Sequence, residues 1–187
     1  MELNERQYVV DRLTENRSKL LNTVQGLSAE QWEFRPAVGR WSIADCVEHV
    51  ILVENRILKS IGKVLTREPQ PEKMAQALEK DRFLMDGTAL DRSRRLNAPE
   101  PLVPKQTWPE TNQLLNEFEG TRARTLEFVR SSDSDLRSHF FQHMAFGDLD
   151  CYQWLMLLPV HGERHLAQIE EIKSEAGFPQ QSAAIPA

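Results

Sequence analysis

His161 and His165 stand one helical turn apart in the run His161-Gly162-Glu163-Arg164-His165. At 100° per residue, positions four apart differ by only about 40° around a helix, so both imidazoles project from one face. Their Cβ atoms are then about 5–6 Å apart, which lets two ring nitrogens meet one ion at about 2.0–2.1 Å. Neutral imidazole is a ligand for zinc, nickel, iron and copper. Trp154, Leu158, Ile169, Ile172 and Ala176 fall in the same sector, so the two rings lie on a stripe that should face a core. Polar rings buried side by side need partners. Spacing alone admits two answers: a shared metal ion, or ordinary hydrogen bonds to two core histidines.

A third imidazole is available at His49. Cys46, Val50, Val53, Ile57, Ile61 and Val64 repeat at 4-3-4-4-3 spacing, and His49 sits at the edge of that stripe, about 40° from Val53. Three protein ligands leave a coordination position for water or substrate, the pattern of catalytic rather than structural sites. Two neighbours carry alternatives. Cys46 precedes His49 by three residues and is either a thiolate ligand or a small core residue. Asp45 either holds the second ring nitrogen of His49 or only caps the helix. Glu163 lies about 200° from His161, so it points away from the metal face, and the run is not the His-Glu-x-x-His protease pattern. No Glu precedes a histidine by three residues, as di-iron carboxylate bundles require. A second i,i+4 pair, His139 and His143, falls in an expected loop. No Ser-His-Asp set or phosphate-cradling glycine loop is present, and no general base can be assigned.

The elements that must position these residues are helices. The first is expected over about Asn4 to Gly26, with Val10, Leu13, Val24 and Leu27 among its apolar positions and Gly26 as its stop. Residues 28–41 form a connection that Trp32, Phe34 and Trp41 pack down. Ser42 and Asp45 make a capping-box variant that opens the second helix, which continues to about Leu65. From Arg67 to Pro109 the periodicity dissolves, and six of the ten prolines lie there. Glu72 to about Asp86 can form a helix across the bundle. A connection of this length is unnecessary for an antiparallel hairpin and favours parallel second and third helices. Thr107, Pro109 and Glu110 read as a start for the third helix, which runs to about Arg130. Residues 131–147 read as a loop, and no segment shows strand alternation. The fourth helix opens at Asp148 or Asp150, with Gln153 closing a box, and stops before Gly177-Phe178-Pro179. Pro159 should kink it. The expected organisation is one all-α four-helix domain over 1–179 and a flexible tail over 180–187.

Composition sets the class. Apolar and charged fractions of 40% and 27% are those of a globular protein, and 187 residues suffice for one core. The net charge of -5, without a dense basic block, argues against a nucleic-acid partner. Cys46 and Cys151 are too few for a disulfide framework and fall inside expected helices. The first residues lack a signal-peptide core, and the longest apolar run, Trp154 to Val160, is far too short for a bilayer. The expectation is a cytoplasmic protein without membrane partners.

The motifs resemble a known family. Trp41-Ser42-Ile43-Ala44-Asp45-Cys46-Val47-Glu48-His49 is similar to the Trp-Ser-x-x-[acid]-x-x-x-His motif of the DinB/YfiT-like superfamily. The later run of His143 to Gly147, Trp154-Leu155 and His161 to Ile169 resembles that family's closing motif, although Met144 stands where a proline often follows the histidine. The resemblance spans most of the chain. It implies a four-helix bundle of up-down-down-up topology and a divalent metal ion, zinc, nickel or iron, held by His49, His161 and His165. It also implies a small-molecule substrate and a homodimer. Some members are S-transferases or isomerases that use a low-molecular-weight thiol such as bacillithiol or mycothiol, and many others are described as metal-dependent hydrolases. Thiol transfer is therefore the first expectation, hydrolysis the second, and a non-enzymatic metal-binding stress scaffold the third. The family name comes from damage-inducible expression and does not imply DNA binding.

Overall fold

The computed structural model describes residues 1–85 and 97–180. Four long helices form the bundle: α1 (Leu3–Val24), α3 (Ile43–Val64), α5 (Thr111–Ser131) and α6 (Cys151–Lys173). Two shorter helices, α2 (Ala29–Glu33) and α4 (Met74–Met85), lie in the connections. A hairpin of β1 (Phe140–His143) and β2 (Gly147–Asp150) precedes α6.

Side-chain pairs fix the helix directions. Arg6 donates to the Val129 and Arg130 carbonyls, while Arg17 farther along α1 meets Glu119, so α1 and α5 run in opposite senses. Arg12 pairs with Glu163 and the Thr23 carbonyl accepts from Lys173, so α1 and α6 run the same way. On α3, Val50 and Ile51 share a cluster with Phe118, Glu54 meets Arg122, and Ile61 shares a cluster with Val129; α3 and α5 are parallel. The order is up-down-down-up. Packing runs around the ring α1, α6, α3, α5, so α1 and α3 face across the diagonal although consecutive among the long helices. The proline-rich crossover is what makes two adjacent helices parallel.

Local signals explain most boundaries. Ser42 accepts from the Asp45 amide while the Asp45 carboxylate accepts from the Ser42 amide, and Asp150 and Gln153 repeat the arrangement on α6. Gly26, at φ 75°, ends α1 in the left-handed region that a Cβ disfavours. Ser28 and Gln31 close a third box that starts α2, inside the connection read as irregular. The start assigned to Thr107 is corrected: α5 begins at Thr111, and the Thr107 hydroxyl donates to Glu48. The loop over 131–147 is also corrected. Phe140 to His143 pairs with Gly147 to Asp150 in a four-residue antiparallel register that is too short for alternation to show. Ala176 lies beyond the end of α6 and is exposed. The expected helix end near Asp86, and the tail beyond Gln180, lie outside the described residues.

α6 is buried on every side from Cys151 to Val160, because α4 and the hairpin cover the face turned away from the bundle. The helix continues through Pro159. Asn16, fully buried on α1, donates to the Pro159 carbonyl at 3.4 Å and accepts from Arg122 through Oδ1. Gly162 is the contact that allows this approach: a Cβ there would stand 2.4 Å from Asn16 Oδ1. Asn16 is held in its network and cannot swing aside without leaving a buried guanidinium short of an acceptor. Gly162→Ala is therefore expected to lower stability by about 1–3 kcal/mol despite the better helix propensity of alanine. Urea unfolding measures it; a stabilised Gly162→Ala variant would refute the close approach.

Candidate metal centre

α3 and α6 run antiparallel and bring the three expected histidines together. The ligand-capable nitrogens of His49, His161 and His165 all lie within 4.8 Å of one another. Nε2 of His161 and Nε2 of His165 are 3.2 Å apart. Two nitrogens on one tetrahedral ion at about 2.0–2.1 Å would be about 3.3–3.4 Å apart. Ring centroids are 4.5 Å apart for His161 and His165, 4.8 Å for His49 and His165, and 5.1 Å for His49 and His161. The rings meet edge-on or tilted, so their nitrogen-bearing edges crowd one point rather than stacking. The donor set, three imidazoles whose nitrogens converge, fits a borderline divalent ion.

The surroundings of His49 and His161 favour the neutral ring, the form a metal requires. His49 and His165 are buried, and His161 is half-buried. Burial lowers the His49 pKa, opposed only by the hydrogen bond to the Leu102 carbonyl. Burial also holds His161 well below the ordinary imidazole value, helped by His165, His49, Arg164 and His143. His49 Nδ1 lies 2.7 Å from the Leu102 carbonyl, which can only accept, so the proton sits on Nδ1 and Nε2 keeps its lone pair for the site. Trp41 walls the group, stacked on His165 at 5.9 Å and 23° and packed on His49 at 4.8 Å.

The alternatives resolve. Asp45 does not hold His49: its carboxylate caps α3 and takes a two-pronged ion pair from Arg35. Cys46 is a buried thiol in the apolar cluster with Val47, Val50 and Phe118, outside the histidine group. Glu163 faces α1 and pairs with Arg12 at 2.7 Å, as its position on the helix predicts. His139 is tied to the backbone, with Nδ1 2.8 Å from the Asp135 carbonyl and Nε2 3.1 Å from that of Arg67. His143 stacks on Phe146, and its Nδ1 accepts from the Ala145 and Phe146 amides, so its proton is on Nε2. The pair His139 and His143 therefore does not converge. The sequence placed Trp41 in the packing and at the head of the motif without a role against the histidines, and gave the Leu102 carbonyl no role. The first had a signal, its place at the head of the motif; the second, a backbone atom 53 positions from His49, had none.

A profile of the DinB superfamily matches residues 12–169. The chain belongs to the DinB superfamily. Among DinB relatives, the uncharacterized protein YuaE of Bacillus subtilis (strain 168) is 26% identical over 161 residues, 86% of this chain and 94% of YuaE. A solved structure of YfiT from Bacillus subtilis, described as a probable metal-dependent hydrolase with an unusual four-helix bundle topology, aligns with a TM-score of 0.65. That alignment covers 96% of this chain and 91% of YfiT at 15% identity, a likeness of fold. Trp41, His49, His161 and His165, the residues on which the sequence resemblance rested, are gathered at one place by the bundle. Among the described residues, no helix is long and apolar enough to cross a membrane.

Proposed function

We propose that His49, His161 and His165 hold one divalent metal ion and that the site carries out thiol-dependent S-transfer to a small electrophile. The observation that carries this reading is the convergence of three imidazoles and no further Cys, Asp, Glu or His among the described residues. Such a set leaves a position for a reactant, where a closed structural site would have a fourth side chain. A bound divalent ion lowers the pKa of a thiol or a water and polarises an electrophile. The chain's own contribution is orientation and exclusion. The Leu102 carbonyl fixes the His49 tautomer, the partner ring of each histidine limits its rotation, and Trp41 keeps water off one flank. In the proposed transfer the thiol sulfur bonds to the electrophilic carbon, the leaving group departs with its electron pair, and the thiol proton passes to solvent.

Hydrolysis is the second reading, supported by the description of YfiT as a probable metal-dependent hydrolase. The two are separated by assaying metal-loaded protein on a panel of electrophiles, esters and amides, with and without bacillithiol, mycothiol or glutathione. The expected result is turnover that needs a thiol and disappears in His49→Ala. Thiol-independent ester or amide turnover, also lost in His49→Ala, would assign hydrolysis. No turnover with any pairing would assign a non-enzymatic scaffold.

A further inference from the structure

Beside the metal centre, one carboxylate gathers an unusual set of donors. Successive backbone N–H groups of Lys105, Gln106 and Thr107 donate to Glu48 at 3.2, 2.9 and 3.1 Å, and the Thr107 hydroxyl donates at 2.7 Å. Glu48 is 3% exposed. The backbone bends to make this possible: Gln106 has φ 56°, in the left-handed region that a residue with a Cβ disfavours. Consecutive amides turned to one side form a concave anion site of the kind that proteins use for phosphates. Here the anion is the chain's own side chain, and the structure it holds is the last part of the crossover before α5.

The residue after Glu48 is His49. Its Nδ1 donates to the Leu102 carbonyl, three residues before the first amide that Glu48 binds. Leu102 closes a short 3₁₀ turn, Glu100–Leu102, and the segment 102–107 that begins at its end is fastened to α3 at two places, by two consecutive side chains. Without the carboxylate, the amides of 105–107 would have to turn back to solvent, and the left-handed Gln106 would lose its compensation. The carbonyl of Leu102 would then no longer be held against His49.

We propose that Glu48 is a positioning residue for the metal centre. It acts through the 102–107 strap, keeping the Leu102 carbonyl where it locks the proton on His49 Nδ1 and leaves Nε2 available to the group shared with His161 and His165. This rests on the reading that the three imidazoles bind a metal, but the tautomer it predicts belongs to the metal-free protein as well.

The test compares wild type with Glu48→Gln and the milder Thr107→Val, and uses Ile61→Val as a control for lost stability. Two quantities are read: zinc affinity by chelator competition, and the His49 tautomer by long-range nitrogen–proton NMR on metal-free protein at pH 8. Wild type should show a single Nδ1–H tautomer. Glu48→Gln should bind zinc about 10–100-fold more weakly, the usual effect of losing an outer-sphere partner, and show mixed tautomers. Thr107→Val should move both in the same direction by less, and Ile61→Val should move neither. Wild-type zinc affinity and an unchanged tautomer in Glu48→Gln would overturn the proposal and leave Glu48 as a fastening for the crossover alone. If wild type took up no zinc, the metal reading would fail, while the NMR comparison would still decide the role of Glu48.

Discussion

Replacing Arg122 with methionine is expected to cost about 3–5 kcal/mol of folding stability. The guanidinium is completely buried, with Nε 3.0 Å and Nη2 2.9 Å from the Glu54 carboxylate. Nη1 donates to the Leu13 carbonyl at 2.8 Å and to Asn16 at 3.3 Å, and the group lies over the Phe118 ring. One side chain on α5 thus braces α1 and α3, and through Asn16 reaches α6 at Pro159. Methionine keeps most of the volume but leaves Glu54, 1% exposed, as an unpaired buried carboxylate. That residual charge, rather than the lost attraction, dominates the penalty. The double variant Arg122→Met with Glu54→Leu should recover most of the loss, because both desolvation costs vanish together. Denaturant unfolding measures all three proteins. A loss below about 1 kcal/mol in the single variant, the range of an exposed pair, would contradict the bracing role.

The same brace shows where sequence reading stops. Helices α1, α3, α5 and α6 were legible from apolar periodicity and from capping residues such as Ser42, Asp150 and Gly26, which act within a few positions of themselves. The parallel pair was legible from the length of the crossover. The three histidines were legible because helical spacing puts His161 and His165 on one face and sets His49 at the edge of the second helix's apolar stripe, where the family motif also places a histidine. What could not be read are long-range partners. Asp45 fits a cap and a histidine support equally well in sequence, and the partners that decide between them, Arg35 on Asp45 and the Leu102 carbonyl on His49, are set by the fold. Gly162 looks like an indifferent helix position until Asn16 is set against it. Thr107 carries a start signal, but the carboxylate of Glu48 competes for its hydroxyl and wins. The short hairpin escaped because four-residue strands are below the length at which alternation can be recognised.

The second large effect concerns the metal itself. Three imidazoles preformed in the folded chain and dispersed in the unfolded one make ion binding a source of folding free energy. Free zinc at about 1,000 times its dissociation constant should stabilise the wild-type protein by about 4 kcal/mol, seen as a rise in melting temperature that a chelator reverses. His161→Ala should lose nearly all of this response, since two remaining nitrogens neither enclose the ion nor exclude water. His139→Gln serves as the control, because His139 is committed to the Asp135 and Arg67 carbonyls and should leave the zinc response intact. A zinc response of equal size in His161→Ala would place the ion elsewhere on the chain.

The most direct measurement is metal content by plasma mass spectrometry, on wild type and His161→Ala purified in parallel, incubated with zinc, nickel or iron and then dialysed. Close to one ion per chain in the wild type and close to none in the variant is the predicted result; equal content in the two, whether stoichiometric or negligible, would contradict a centre built from His49, His161 and His165.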